Sequence, residues 1–175
     1  MSPEAVPREI FLKPGDYAFG EGNTRIRTIL GSCVAITFWH AELAMGAMCH
    51  YLLPTRARVP ATEPSGKYGE DVLRIIADHF TRKSIPRRAI QVKMFGGSNM
   101  FPNLSLGEIL SIGAKNIEFG LRMLTAEGFK IESFDLAGAA NRTVVFELWT
   151  GDVWVRQGQG PEGADRSKLE RRRPL

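Results

Sequence analysis

The chain has 175 residues, the size of one domain, and its 43% hydrophobic and 24% charged residues exclude a wholly disordered protein. The formal charge is +4, and residues 166–175 carry five basic residues against one glutamate, so this tail accounts for the whole excess. No apolar run reaches the ~20 residues of a membrane span, and two cysteines are too few for a disulfide framework. We therefore predict a cytoplasmic protein with reduced thiols and no direct membrane insertion.

The first half of the chain alternates between strand and helix patterns. We expect residues 1–7 to be a flexible start. The apolar segments 34–40 and 44–53 are separated by a few residues and predict a β-hairpin. Residues 67–82 carry apolar side chains at positions i, i+4 and i+8, which predicts a helix. Residues 89–95 then predict a strand that runs into two glycines.

The second half predicts one more helix and three strands. The helix begins near Ser111 and ends before Gly128, and the strands follow at 129–136, 142–150 and 152–156. Strands outnumber helices and do not alternate with them regularly. This pattern favours a single α+β domain over residues 8–157, with a β-rich, sandwich-like core of mixed sheets and two main helices packed against it. Residues 158–175 are rich in glycine and charge, so we expect a basic, disordered tail.

Cys33 and His50 are the candidate reactive residues. If the hairpin turn is centred between Ala41 and Glu42, these two residues lie directly opposite one another, with Cβ atoms about 4.5–5.5 Å apart. A thiol and an imidazole at that spacing form a nucleophile–base pair, and an imidazolium there would favour the thiolate. A loop of odd length would slip the register and remove this argument. The alternative that both residues belong to the core stays open.

The surroundings of Cys33 support chemistry without a metal. Gly31-Ser32 is a tight-turn dipeptide whose backbone N–H groups can stabilise an oxyanion beside the cysteine. Strand alternation places Cys49 on the face opposite His50, where it packs as a small hydrophobic side chain. The cysteines and histidines therefore do not form a set of metal ligands, and we predict no metal site.

Several motifs in order resemble one bacterial family. They are LGSCVAITFWH with MGAMCHYLLP, KYGEDVLRII, FGGSNMF, IGAKN and DLAGAANRTVVFELWTGDVWVR. The run of motifs resembles the chemoreceptor glutamine deamidases of the CheD family and spans residues 15–156. The resemblance implies conversion of chemoreceptor glutamine side chains to glutamate through a cysteine thioester, without a cofactor. It also implies that some members hydrolyse receptor methyl esters.

Eight residues of this chain are candidate site residues, six of them through the resemblance. Carried over by position, the catalytic residues would be Cys33, His50 and Thr28. In some members the threonine lies one residue further from the cysteine, where this chain has Arg27. The backbone oxyanion groups are assigned to Gly31 and Ser32 by the turn argument above. A loop at the substrate cleft would be formed by Gly96, Gly97 and Ser98.

The same resemblance implies partners and leaves alternatives open. The partners would be the cytoplasmic helices of a chemoreceptor and a phosphatase of the chemotaxis response regulator. The chain departs from the family at Ala137, where a glycine is usual, and alanine would be strained there if φ is positive. One alternative is a non-catalytic docking module that binds the phosphatase or the receptor. Nucleic-acid binding through the basic tail is disfavoured, because the rest of the chain is near neutral.

Overall fold

The structure is a computed structural model and describes residues 6–57, 63–100, 110–158 and 170–172. Within these ranges the chain forms ten strands, two α-helices and a short 3-10 helix at Arg87–Ala89. The helices are α1 (Gly69–Arg82) and α2 (Leu110–Ala126). The strands are β1 (Arg8–Phe11), β2 (Tyr17–Glu21), β3 (Thr24–Leu30), β4 (Val34–His40), β5 (Met45–Tyr51), β6 (Ile90–Gly96), β7 (Ile131–Leu136), β8 (Asn141–Glu147), β9 (Asp152–Gly158) and β10 (Glu170–Arg172).

The strands form two five-stranded sheets that stack on one another. The first sheet has the order β1-β3-β8-β9-β10, and the second has the order β2-β5-β4-β6-β7. Both sheets are mixed, because β1 pairs with β3 and β6 pairs with β7 in parallel. This confirms the predicted α+β domain with a sandwich-like core. One regular alternation does occur, since α2 connects the parallel strands β6 and β7.

Two hydrophobic layers fill the domain. One lies between the sheets and includes Leu30, Ala35, Met48, Phe95 and Phe146. The other lies between the second sheet and both helices and includes Ile36, Cys49, Tyr51, Ile76 and Phe80. The second sheet is therefore covered on both faces, which explains why every residue of β5 is buried.

The two helices cover the outer face of the second sheet. The apolar positions predicted for α1, Val72, Ile76 and Phe80, are all fully buried. Helix α2 begins at Leu110, so Ser111 lies in its first turn rather than before it. The predicted end is confirmed, because Gly128 follows with a left-handed φ of 79°. None of the helices in the part of the chain that the structure describes is long and apolar enough to cross a membrane.

The hairpin of β4 and β5 forms as predicted, but its register differs. The loop is Ala41–Ala44, and its centre lies one residue later in the chain than predicted. As a result Ala35, and not Cys33, lies opposite His50, so the predicted direct pairing is wrong. Ala44 is the last residue of the loop and has a left-handed φ of 43°. Turn prediction from sequence expects this conformation at glycine or asparagine, so an alanine here does not indicate the position of the turn.

Part of the predicted disordered tail belongs to the fold. Gly158 is the last residue of β9, and Glu170–Arg172 form β10, which pairs antiparallel with β9. The outer edge of β9 offers unpaired backbone groups, and a short strand satisfies them. Residues 159–169 and 173–175 of the predicted tail, like residues 1–5 of the predicted flexible start, lie outside the described part. The domain boundary at 157 stays a prediction.

Candidate active site

His50 lies at the end of β5, in the layer between the two sheets, and contacts Thr28 on β3 of the facing sheet. The distance from Thr28 Oγ1 to His50 Nδ1 is 2.7 Å, and both residues are buried. The Thr28 hydroxyl donates its single proton to the Leu12 carbonyl at 2.8 Å. It therefore accepts from His50, and Nδ1 carries the imidazole proton. This fixes the neutral tautomer with the lone pair on Nε2.

Nε2 of His50 is buried and has no hydrogen-bond partner among the described residues. Burial lowers the pKa of His50 to about 4, and nearby Asp16 opposes part of that shift. At neutral pH the ring is therefore uncharged. A buried imidazole with a free lone pair is equipped to accept a proton from a neighbouring group.

Cys33 is half-buried and lies immediately before β4. It packs against the layer between the sheets, on the same side as Ala35 and the His50 ring. The register places it diagonal to His50 rather than opposite; a diagonal pair in a regular ladder has Cα atoms about 7–8 Å apart. The two-residue difference from the predicted register preserves the face, so Cys33 and His50 still share one side of the hairpin.

The thiol of Cys33 is neutral in the resting protein. Burial raises the pKa of Cys33 above its usual value, and the residue's own backbone N–H offsets part of that rise. With an uncharged His50 beside it, the resting pair consists of a thiol and an imidazole. The thiolate–imidazolium pair expected from the sequence is not the ground state, because both groups are taken out of water.

Cys49 has the opposite environment on the same hairpin. It lies one residue before His50 and points into the layer between the second sheet and the helices. Full burial raises its pKa to about 12. The prediction that Cys49 is a core side chain is confirmed.

The loop at residues 96–98 supports the turn that carries Cys33. The Gly97 N–H donates to the Cys33 carbonyl at 2.8 Å, and the Ser98 N–H donates to the Gly31 carbonyl at 2.9 Å. Gly96 and Gly97 both have left-handed φ values, and a Cβ at Gly96 would collide with the Cys33 carbonyl. Glycine is thus required where the loop meets the turn.

A cleft of about 170 Å³ opens beside this loop. Its lining consists mostly of small residues: Gly97, Asn99, Gly113, Ala114, Ile117, Ala137 and Gly138. Of the three residues assigned to a cleft loop, Gly97 lines it. The Ser98 hydroxyl instead donates to the Ala140 carbonyl at 2.7 Å and accepts from Arg142. Ser98 therefore acts inside the loop packing.

Arg142 holds the loop that contains Ala137, one of the residues that line the cleft. Its guanidinium is buried, pairs with Asp135 at 2.9 Å and donates to the Ala137 carbonyl at 2.6 Å. Ala137 has a φ of 62°, so an alanine occupies the left-handed conformation. The condition under which the sequence predicts strain at this alanine, a positive φ, is therefore met. The buried ion pair and the carbonyl contact hold this loop in place.

Asn116 on α2 is a residue that the sequence argument left aside. Its side chain is fully buried, and Nδ2 donates to the Leu52 carbonyl at 2.8 Å and to the Ser32 carbonyl at 3.2 Å. The backbone carbonyl of Asn116 accepts from the Tyr51 hydroxyl at 2.6 Å. One helical turn thus joins the cysteine turn to the end of β5. The motif IGAKN, which ends at Asn116, drew attention to this segment of the sequence but gave no indication of the contact.

Comparison with known proteins identifies the family of this chain. The family described as CheD chemotactic sensory transduction matches residues 52–157, more than half of the chain. The chain belongs to the CheD family. The matched range begins just after His50, so the geometry at Cys33, His50 and Thr28 is an observation separate from that match.

Curated CheD relatives cover nearly the whole chain. The protein named probable chemoreceptor glutamine deamidase CheD 2 from Albidiferax ferrireducens is 40% identical over 97% of this chain and 99% of its own length. A probable chemoreceptor glutamine deamidase CheD 3 from Dechloromonas aromatica is 38% identical over 90% of both chains. The similarly named protein of Pseudomonas syringae pv. tomato is 38% identical over 85% of this chain and 88% of its own.

Proposed function

We propose that this chain is a glutamine deamidase that acts on the cytoplasmic helices of chemoreceptors, in the cytoplasm. The names of its CheD relatives supply the substrate class. The observation that carries the chemistry is the fixed tautomer of His50, with Nδ1 donating to Thr28 and a buried Nε2 left without a partner. A histidine held in this way is a positioned base rather than a packing residue.

In the first half of the reaction, the Cys33 sulfur attacks the carbon of the glutamine carboxamide. His50 Nε2 takes the thiol proton as the S–C bond forms, because both groups are neutral at rest. The carbonyl oxygen becomes an oxyanion, stabilised by the backbone N–H groups of Ser32 and Cys33. His50 then gives the proton to the leaving nitrogen, the C–N bond breaks, and ammonia departs to leave a thioester on Cys33.

In the second half, water hydrolyses the thioester. His50 Nε2 accepts a proton from the water as its oxygen attacks the acyl carbon. The S–C bond breaks, glutamate is released, and the proton returns from His50 to the Cys33 sulfur. The net reaction consumes water and releases ammonia. Thr28 keeps the ring orientation throughout, since its acceptance from Nδ1–H also stabilises the transient imidazolium. The same steps would cleave a receptor methyl ester.

The product changes the receptor by one charge. A neutral side chain becomes a carboxylate on a packed helix, which changes repulsion between neighbouring helices. Such a change alters the balance between receptor signalling states and so tunes chemotaxis. No cofactor takes part in this scheme.

The direct test is mass spectrometry of a receptor cytoplasmic fragment incubated with the protein. We expect a glutamine-to-glutamate mass shift with the wild-type protein and with Cys49→Ala, but none with Cys33→Ala. The Cys49→Ala protein is the matched control, because it removes the other thiol of the same hairpin. A shift that persists with Cys33→Ala contradicts the mechanism. If a receptor fragment from the same organism binds the wild-type protein but is not modified, the chain acts as a docking module instead.

A further inference from the structure

All three carbonyl groups of the turn Gly31–Cys33 are fixed by donors from outside the turn. Gly31 and Cys33 accept from the backbone N–H groups of Ser98 and Gly97. Ser32 accepts from the Asn116 side chain at 3.2 Å. A side chain thus holds the Ser32 carbonyl, whereas backbone N–H groups hold the carbonyls of Gly31 and Cys33.

The direction of these carbonyls sets the direction of the neighbouring N–H groups. In a planar trans peptide, the N–H of one residue points opposite to the carbonyl of the residue before it. When the Ser32 carbonyl turns toward Asn116, the Cys33 N–H must turn away from Asn116. Within the described residues, the N–H groups of Ser32 and Cys33 donate to no other backbone carbonyl. The Cys33 N–H thus lies on the side away from Asn116, where it acts on the Cys33 thiol and lowers its pKa.

We propose that Asn116 is a positioning residue that orients the Ser32–Cys33 peptide, so that the Cys33 N–H meets the oxyanion. The inference rests on the proposed function, since it takes Cys33 as the nucleophile. Asn116 itself touches no substrate, because its side chain is fully buried. It acts through the peptide that it holds.

A second contact ties the same amide to the base. Nδ2 of Asn116 also donates to the Leu52 carbonyl at 2.8 Å, two residues after His50. One side chain therefore connects the turn of the nucleophile with the end of the strand that carries the base. Because both partners are carbonyl acceptors, the nitrogen of Asn116 must be the atom that faces them.

The other half of the amide argues against a purely packing role. Oδ1 of Asn116 is buried and has no partner among the described residues. An unpaired buried acceptor is unfavourable, and an apolar side chain of similar size would fill the same space without it. What the asparagine supplies, and leucine cannot, is the pair of N–H donors directed at Ser32 and Leu52.

Kinetics on a receptor fragment test the proposal. Removing one oxyanion donor lowers kcat by about 10²–10³-fold. We therefore expect Asn116→Ala and Asn116→Leu each to lower kcat by roughly 10²-fold with KM within about twofold of wild type. The Leu variant keeps the number and branching of the side-chain heavy atoms, so it serves as the second variant if the Ala variant loses stability. Lys115→Ala, an exposed neighbour on α2, is the matched control and should keep wild-type kcat.

Alkylation of Cys33 by iodoacetamide separates positioning from general damage. This displacement forms no oxyanion at a carbonyl, so its rate should change by less than about twofold in both Asn116 variants. A wild-type kcat in the Leu variant overturns the inference. So does a parallel fall of kcat, alkylation rate and thermal stability, because that pattern belongs to a structural residue.

Amide NMR gives a readout that does not depend on the substrate. Labelling with 15N-cysteine yields two backbone signals, from Cys33 and Cys49, since the chain has two cysteines. We expect the Cys33 signal to move in Asn116→Leu, while the Cys49 signal stays. An unmoved Cys33 signal overturns the inference. If the signal moves but the wild-type protein deamidates no receptor fragment, the orientation by Asn116 stands and the proposed function is the part that fails.

Discussion

The two faces of the β4–β5 hairpin differ: one packs into the helix-facing layer of the core, and the other carries residues of the proposed catalytic site. The face toward the helices carries Cys49, which is fully buried among the side chains of the helix-facing layer. The face toward the other sheet carries His50 beside Thr28, with Cys33 at its end. Two cysteines close together on one hairpin thus differ because strand alternation sends them into different layers.

The comparison shows that burial alone does not separate the residues of the proposed site from core residues. His50 is as deeply buried as Cys49, yet its ring is held by a hydroxyl and keeps one nitrogen unpaired. Cys33 is more exposed and lies on a turn whose carbonyls are all fixed from outside. What separates the two faces is the set of polar contacts around His50 and around the turn of Cys33.

The largest expected difference in deamidation is between two variants in which one or the other cysteine is replaced by alanine. Cys33→Ala should lower deamidation by on the order of 10⁶-fold, as loss of a nucleophile does in a comparable catalytic unit. Cys49→Ala should keep kcat and lose about 1 kcal/mol of unfolding free energy, because it leaves a small cavity in the helix-facing layer. Steady-state kinetics and urea unfolding measure both. Equal losses of activity in the two variants would erase the distinction between the faces.

Because His50 is buried and uncharged, we expect the stability of the fold to depend on pH. Its pKa falls from 6.5 to about 4 in the folded protein, so the unfolded chain takes up a proton first as pH decreases. The contribution of His50 to the free energy of unfolding is complete above pH 6.5. It is lost as pH falls toward 4, by about 3 kcal/mol in total. Urea unfolding between these pH values should show this loss in the wild type and a smaller loss in His50→Gln. Parallel curves for the two proteins would contradict the assignment.

A smaller effect is expected from the hydroxyl that orients the ring. Thr28→Val removes the acceptor of the His50 Nδ1 proton and should lower kcat by roughly 10–100-fold, part of what a positioned base contributes. KM should change little, since Thr28 is fully buried. Thr37→Val removes another buried threonine hydroxyl in the second sheet and should leave kcat within about twofold. If Thr28→Val keeps wild-type kcat, the ring is held by packing alone.

The smallest effect concerns the loop behind the cysteine turn. Ala137→Gly should raise the unfolding free energy by about 1 kcal/mol, because glycine adopts a φ of 62° without strain. Ala139→Gly, two residues along the same loop, is the control and should not stabilise, since Ala139 is outside the left-handed region. Thermal unfolding compares them. A destabilised Ala137→Gly would show that the Cβ of Ala137 makes a contact worth more than the strain.

Much of the fold followed from local patterns in the chain. The strands β4 to β6, helix α1 and the glycine after α2 were predictable, because periodicity and turn residues mark them. The register of the hairpin was not, since Ala44 takes a left-handed conformation that no glycine or asparagine announces. The strand β10 was also missed. Its pairing depends on the free edge of β9 and not on the composition of the tail.

Some residues of the candidate site were likewise predictable from the sequence, and others were not. The sequence alone could place Cys33 and His50 on one face, because side-chain alternation survives an even shift in register. Thr28 entered through the resemblance, since its contact with His50 spans two sheets. Asn116 was missed because its role depends on how α2 packs across the ends of β4 and β5. Contacts between distant segments leave no periodic trace in a single chain.

The most direct test of the account is to observe the covalent intermediate. The protein is mixed with a glutamine-containing receptor peptide, quenched in acid during turnover, and weighed intact by mass spectrometry. We predict an adduct equal to the peptide minus ammonia, mapped to Cys33, present in Cys49→Ala and absent from Cys33→Ala. Turnover of the peptide by the Cys33→Ala protein, or an adduct mapped to Cys49, would contradict the assignment of Cys33 as the nucleophile.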